Sequence, residues 1–157
     1  MDEELTFEEK LRMNADLIIG HLSSPAGFEL GFDERSVEWI DGFIERQRCR
    51  EDFDLAASDG LAQKLGSFLG ECMCRGLGGE WKQLEEGIAV VFSDGNAAFP
   101  LTKVRKQFAN GPEDSIVRFY QSAAILFSRE ADNPINRTDE KTHQYRTDSF
   151  SSHPLRS

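Results

Sequence analysis

The sequence is poor in the side chains that most often bind metals or act as nucleophiles. It contains three cysteines and three histidines in 157 residues, and the histidines lie far along the chain from the nearest cysteines. Cys72 and Cys74 are two residues apart on a predicted helix, so their side chains should point in opposed directions and not towards one tetrahedral site. We therefore predict structural thiols and no metal site.

Motifs of the large enzyme families are also missing. The chain has no P-loop, no G-x-S-x-G nucleophile elbow and no H-E-x-x-H zinc motif. Its densest glycine pattern lies within a predicted helix and not after a strand, which excludes a dinucleotide-binding fingerprint. We accordingly predict no catalytic residue and no cofactor, and an enzyme is the less favoured class.

Long apolar runs are absent as well. The longest one near the start is Leu17-Ile18-Ile19, far shorter than the roughly 20 residues that span a bilayer. The chain begins Met1-Asp2-Glu3-Glu4, the opposite of the basic start of a signal peptide. These features favour a cytoplasmic protein without membrane association.

What the sequence has in excess is acid. Its 28 acidic residues exceed 18 basic ones for a net charge of −10, and residues 1–54 alone contain 15 acidic and 6 basic residues. A net acidic surface disfavours nucleic acid and anionic lipid. Because complementary charge steers protein association, the acidic segment predicts a basic protein partner. Solubility alone is the other explanation for this charge.

Hydrophobic patterning predicts one α+β domain over residues 1–128, followed by a polar tail over residues 129–157. The tail contains only Ile135, Phe150 and Leu155 from the Leu/Ile/Val/Phe set. That is too little apolar surface to offset the entropy of ordering, so we predict a mostly disordered tail. The pattern predicts no particular oligomeric state.

The domain is predicted to contain about five helices packed on a small three-stranded antiparallel hairpin sheet. The first helix should begin at the capping box Thr6-Phe7-Glu8-Glu9 and end near Ile19, because Gly20 and a Ser/Pro/Gly cluster follow. The third and longest should end at Gly78-Gly79. Strands are expected at 81–84, 88–92 and 97–99, with Asp94-Gly95 as a turn signal.

Small residues line one face of the predicted third helix, since Ala62, Gly66, Gly70 and Cys74 fall four apart. Glycine inside a helix costs about 1 kcal/mol relative to alanine, so two on one stripe indicate a close approach by something else. Tight packing of another element is the favoured interpretation. A bound ligand is the alternative.

Glu71 and Arg75 lie beside this stripe in the order that favours a helical ion pair. The favoured interpretation is an exposed pair. The alternative is a partly buried Glu71 that accepts hydrogen bonds from the strands or from a partner, or acts as a general acid/base. Trp81, which follows the helix, is expected in the core.

Lys103 belongs to a small basic cluster with Arg105 and Lys106, on the helix that follows Pro100. We expect this cluster on a solvated helix face, with contact to an anion or an acidic partner as the alternative. Together, Glu71, Arg75, Trp81 and Lys103 are the candidate binding residues of this chain.

An ordered set of motifs in this region resembles an uncharacterised bacterial domain family, with the pattern LGE…LGGEW…P-x-x-K-V…NGxEDS. The resemblance covers about residues 36–120, and this chain has Leu101-Thr102 where the family has Phe-Ser. It implies a small α+β bacterial domain with Glu71, Trp81 and Lys103 as shared positions, and it implies no activity. The matching segments are Leu69-Gly70-Glu71, Leu77-Gly78-Gly79-Glu80-Trp81, Phe99-Pro100-Leu101-Thr102-Lys103-Val104 and Asn110-Gly111-Pro112-Glu113-Asp114-Ser115.

Two hypotheses about function follow. The first is a non-catalytic, acidic protein-interaction module of a bacterial cytoplasm, such as an adaptor or a protein that neutralises a basic toxin. The alternative is a small-ligand-binding or enzymatic domain with a pocket between the third helix and the hairpin. In that case Glu71, Arg75, Trp81 and Lys103 would line the pocket, and Glu71 would be its anchor or acid/base.

Overall fold

Five helices and one small sheet build the part of the chain that the computed structural model describes, residues 4–131, with side chains through residue 127. This arrangement confirms the predicted α+β fold. The last helix extends three residues into the segment predicted as a tail, and the rest of that tail lies outside the described residues. The elements are α1 (Phe7–Ala26), α2 (Glu34–Arg48), α3 (Asp59–Leu77), β1 (Glu80–Leu84), β2 (Gly87–Val91), β3 (Ala97–Ala98), α4 (Pro100–Asn110) and α5 (Ile116–Ala131).

Helix α1 begins as predicted but is longer than predicted. Thr6 and Glu9 form both hydrogen bonds of the capping box, at 3.0 and 3.1 Å. The predicted end near Ile19 is wrong, because α1 runs to Ala26. The Ser23 hydroxyl donates to the carbonyl of Ile19 at 2.8 Å and accepts from the amide of Leu30 at 2.9 Å. The serine therefore fastens the last turns of the helix to the following loop.

Helix α3 lies at the centre of the fold and contacts α1, α4, α5 and the sheet. Every residue from Leu65 to Met73 is buried. The middle of α3 is therefore enclosed on all sides and lacks the polar, solvent-facing side of an amphipathic helix. The helix ends at Gly78, whose φ of +81° is the left-handed conformation of a glycine cap. This end of α3 leads directly into β1.

The three strands form an antiparallel sheet in the order β1-β2-β3, close to the predicted spans. Trp81 pairs with Val90, and Val90 pairs with Ala98. These three residues belong to the main core around α3. Ala89 and Val91 belong to a second apolar cluster, together with Ala97. β1 is one edge of the sheet.

The small-residue face of α3 is closely packed, as the favoured interpretation predicted. A Cβ atom at Gly66 would lie 2.6 Å from the Cα atom of Leu101, so the backbone of α4 rests on this glycine. A Cβ atom at Gly70 would overlap the indole ring of Trp81. The two glycines therefore allow α4 and the Trp81 side chain of β1 to pack directly against α3.

Candidate functional site

The Glu71 carboxylate is buried, with 3% of the residue exposed. One oxygen accepts a hydrogen bond from Trp81 Nε1 at 2.8 Å, and the other accepts from Arg75 Nε at 2.9 Å. The favoured prediction of an exposed ion pair is therefore wrong for Glu71, and the alternative of a buried acceptor is confirmed. The reason is the neighbouring Gly70, which lets the Trp81 ring cover this side of α3.

Arg75 is half-exposed, and its guanidinium is held from two sides. Its Nε donates to Glu71, and its Cζ lies 3.9 Å from the centroid of the Phe32 ring. Phe32 in turn stacks on Phe68 in the core. Because a guanidinium is planar, it can satisfy the carboxylate and the ring face together.

Trp81 lies in the core as predicted, with 5% of the residue exposed. A buried indole N–H requires an acceptor, and Glu71 supplies it. Arg75 compensates the charge that this acceptor brings into the core, and Arg12 of α1 adds to it, with its Nε 4.0 Å from a Glu71 oxygen. Helices α1 and α3 and strand β1 therefore meet at one carboxylate.

Lys103 does not belong to a solvated face, so that prediction is wrong for this residue. It is 4% exposed, and its Nζ donates to Asp114 Oδ1 at 3.1 Å. Asn110 donates to the other oxygen of Asp114 at 2.8 Å. Gly111, with φ +89°, reverses the chain after α4 and returns Asp114 to the side of the helix that carries Lys103. Arg105 is exposed as expected and pairs with Asp59.

The sequence interpretation missed a second polar cluster, which caps the start of α5. Asp41 of α2 accepts from the Ser115 hydroxyl at 2.6 Å and from the Val117 amide at 3.1 Å. Gln107 of α4 accepts from the Ile116 amide at 2.9 Å. These bonds satisfy amides that a helix leaves unpaired. The available signal was Asp41 itself, one helical turn after the buried Val37.

A depression of about 320 Å³ lies between α1, α3 and β1, and we call it the α1–β1 groove. It brings together three of the four candidate residues: Glu71, Arg75 and Trp81. Lys103 is not among its lining residues. α1 contributes Glu8 and Arg12, and β1 contributes Lys82.

Cys74, the one cysteine in the groove, is not a reactive thiol. Burial raises its pKa to about 12, and the nearby Glu71 carboxylate acts in the same direction. Burial likewise raises the pKa of Cys72 well above its ordinary value. Since the thiolate is the reactive form, both groups stay protonated at neutral pH, in agreement with structural thiols.

Among residues 4–127, no three His, Cys, Asp or Glu side chains are grouped in a way that could hold a metal ion. Within the described helices, none combines the length and the apolarity needed to cross a bilayer.

Comparisons with protein-family models, with curated proteins and with solved structures gave no match. The resemblance to an uncharacterised bacterial family therefore stays a prediction.

Replacing Glu71 with leucine should lower the free energy of unfolding by about 1–3 kcal/mol, because the buried Trp81 N–H loses its acceptor. Glu71→Gln keeps an amide oxygen for Trp81 and should cost less than the leucine variant. Urea unfolding at neutral pH measures both. Equal stability of the leucine variant and the wild type would contradict a structural role for the carboxylate.

Proposed function

We propose that this protein is a non-catalytic, acidic protein-interaction module of a bacterial cytoplasm, which binds a basic protein partner as an adaptor or as a toxin-neutralising protein. The observation that carries the proposal is the outer face of α1, which we define by Glu9, Met13, Asp16 and Leu17. The inner side of this helix, with Leu11 and Ala15, is buried.

The outer face of α1 combines apolar and acidic groups. Met13 is 50% exposed and Leu17 is 40% exposed, and a spacing of four residues places them side by side on the helix. Glu9 and Asp16 are exposed beside them, together with one basic residue, Lys10. A single exposed apolar residue is ordinary, but an apolar pair rimmed by charge is the composition of an interface.

The sign of the charge indicates the partner. Residues 1–54 carry most of the excess acid of the chain, and the outer face of α1 belongs to this segment. A basic surface that also presents apolar side chains would match both properties of the face. Charge of opposite sign raises the rate of association, and salt screens it.

Glu71 gives little support to the enzymatic alternative, because both of its oxygens already accept hydrogen bonds from Trp81 and Arg75. A general acid/base needs an oxygen within hydrogen-bond reach of the substrate. Small-ligand binding in the α1–β1 groove remains the second candidate function. It is favoured by the convergence of Glu71, Arg75 and Trp81 on one cavity.

The double variant Met13→Ser/Leu17→Ser should lose the basic partner. The experiment immobilises the full chain, applies a bacterial lysate at low and high salt, and identifies the retained proteins by mass spectrometry. We expect the wild type to retain a basic protein that salt releases, and the double variant to retain at least about tenfold less, because the apolar centre of the contact is gone.

The matched control for this capture is Leu55→Ser, which removes a similarly exposed leucine (49%) from another part of the surface. It should retain the same protein as the wild type. Capture that Met13→Ser/Leu17→Ser leaves unchanged would contradict the assignment of this face. The absence of any basic protein at low salt would contradict the proposed class of partner.

A further inference from the structure

Strand β1 has a free edge. It pairs with β2 on one side and is the end of the sheet on the other. Within residues 4–131, the backbone groups of Glu80–Leu84 make no hydrogen bonds to any element other than β2. An edge of this kind presents unpaired N–H and C=O groups on which another strand can form.

The α1–β1 groove lies beside the first part of this strand, Glu80 to Lys82. Its lining comes from α1, from α3 and from residues 79–82 at the start of β1, and includes no residue of β2 or β3. The far wall is therefore α1, with Glu8 and Arg12, and the floor is α3. An extended chain placed beside β1 would lie between a strand and a helix, over a buried floor.

Three basic side chains (Arg12, Arg75, Lys82) and three acidic ones (Glu8, Glu71, Glu80) line the groove, and the two arginines offer it hydrogen-bond donors. Arg75 uses its Nε on Glu71, and Arg12 approaches the same carboxylate only to 4.0 Å. Both arginine side chains are half-exposed, and their terminal nitrogens donate to no acceptor in the described chain. Both Glu71 oxygens are already occupied, and Glu80 lies 3.5 Å from Lys82. A guanidinium binds a carboxylate strongly, often through two parallel bonds.

We propose that the α1–β1 groove binds an extended peptide segment of a partner protein, which adds to the free edge of β1 as a fourth strand and places an acidic side chain against Arg12 and Arg75. Backbone bonds to the strand would supply affinity, and the two guanidiniums would supply specificity. This proposal rests on Glu8 and Arg12, which lie on a different side of α1 from Met13 and Leu17, although Arg12 adjoins Asp16 of the outer face, one helical turn later.

A library of random 12-residue peptides displayed on phage tests this proposal with the full chain as bait. The selected peptides should be rich in β-branched residues and carry a central Asp or Glu. Synthetic copies should bind Arg12→Ala at least tenfold more weakly than the wild type. They should bind Glu8→Gln more tightly, because that change removes the acidic group of α1 from the groove wall.

Leu55→Ser, which lies outside the groove, is the control and should bind the peptides as the wild type does. Bound peptide should also slow hydrogen exchange of the backbone amides of Glu80–Leu84. Arg12 is half-exposed, so Arg12→Ala is expected to fold, and circular dichroism checks this. The proposed function is tested by capture of a basic protein, whereas this proposal is tested by peptide affinity. Failure of one experiment therefore does not decide the other.

Three outcomes would overturn the proposal. The first is that the library yields no binding peptide. The second is that selected peptides bind Arg12→Ala as tightly as the wild type or leave the β1 amides unprotected. The third is that a free carboxylate such as succinate binds in the groove while no peptide is selected, which would favour the small-ligand function over strand addition.

Discussion

Replacing Lys103 with alanine is expected to lower the free energy of unfolding by about 3–5 kcal/mol, the usual cost of breaking a buried ion pair. The substitution leaves the Asp114 carboxylate in the interior with a hydrogen bond from Asn110 and the more distant charge of Lys106. It also removes the Lys103 side chain from its place 5.6 Å from the centroid of the Phe119 ring. Chemical denaturation at neutral pH measures this loss.

Arg105→Ala is the matched control, two residues further along α4. Its ion pair with Asp59 is even shorter, at 2.8 Å against 3.1 Å, but both side chains are exposed. Exposed pairs contribute only about 0–1 kcal/mol, so Arg105→Ala should be nearly as stable as the wild type. Losses of equal size in the two variants would contradict the distinction between the buried and the exposed pair.

The Lys103–Asp114 pair should also make stability depend on pH. Burial by itself would raise the pKa of Asp114, but the hydrogen bonds from Asn110 and Lys103 outweigh it and hold the pKa below its ordinary value of 3.8. A carboxylate with a lowered pKa stabilises the fold above about pH 4 and loses this contribution as the pH falls through the folded pKa. Asp114→Asn should therefore flatten the acid limb of the stability profile.

Gly70→Ala is expected to destabilise the protein by about 1–3 kcal/mol, because one added methyl group overlaps the buried Trp81 ring. Alanine is the better helix former by about 1 kcal/mol. The clash with Trp81 should therefore outweigh a gain in helix propensity. The ring has little freedom to move, since its N–H is bound to Glu71 at 2.8 Å. Thermal and urea unfolding measure the net effect.

Gly20→Ala provides the opposite expectation for the same substitution. Gly20 lies inside α1, is exposed, and has no atom within 4 Å of the position of an added Cβ. Alanine at this position should stabilise the protein by about 0.5–1 kcal/mol. If Gly70→Ala stabilised the protein as Gly20→Ala does, the close approach of Trp81 to α3 would be wrong.

The motifs that resemble an uncharacterised bacterial family have structural explanations in this chain. Glu71 and Trp81, from the first two motifs, form the buried bond between α3 and β1. Lys103 and Asp114, from the last two, form the buried ion pair beside α4. These residues hold the fold of this chain together, so a structural role accounts for the four motif positions.

Local patterns predicted the elements well wherever the elements are long and periodic. Val37, Ile40 and Ile44 recur at helical spacing in α2 and are all in the core, and so are Ile116, Phe119 and Ala123 of α5. The end of α1 was missed because the last turns of the helix depend on the hydrogen bond between Ser23 and the backbone amide of Leu30. A helix boundary of this kind is decided by tertiary contacts and not by the breakers in the sequence.

The candidate site was predicted in part, for a related reason. The sequence correctly brought Glu71, Arg75 and Trp81 together, because they lie close along the chain at the junction of a helix and a strand. The sequence misplaced Lys103. Its burial depends on the Asp114 carboxylate, which comes close to Lys103 only because the chain reverses direction at Gly111. A single sequence indicates which residues are charged, but not which of them meet a partner inside the fold.

The proposed binding of a basic protein to the acidic outer face of α1 is tested most directly by the affinity of the captured basic protein, once purified, for Glu9→Gln/Asp16→Asn over a range of salt concentrations. The control is Glu85→Gln/Glu113→Gln, which removes the same charge from two other exposed positions. We expect the first variant to bind at least tenfold more weakly at low salt, with a reduced salt dependence, and the control to match the wild type. Equal affinity and equal salt dependence in all three proteins would contradict the claim.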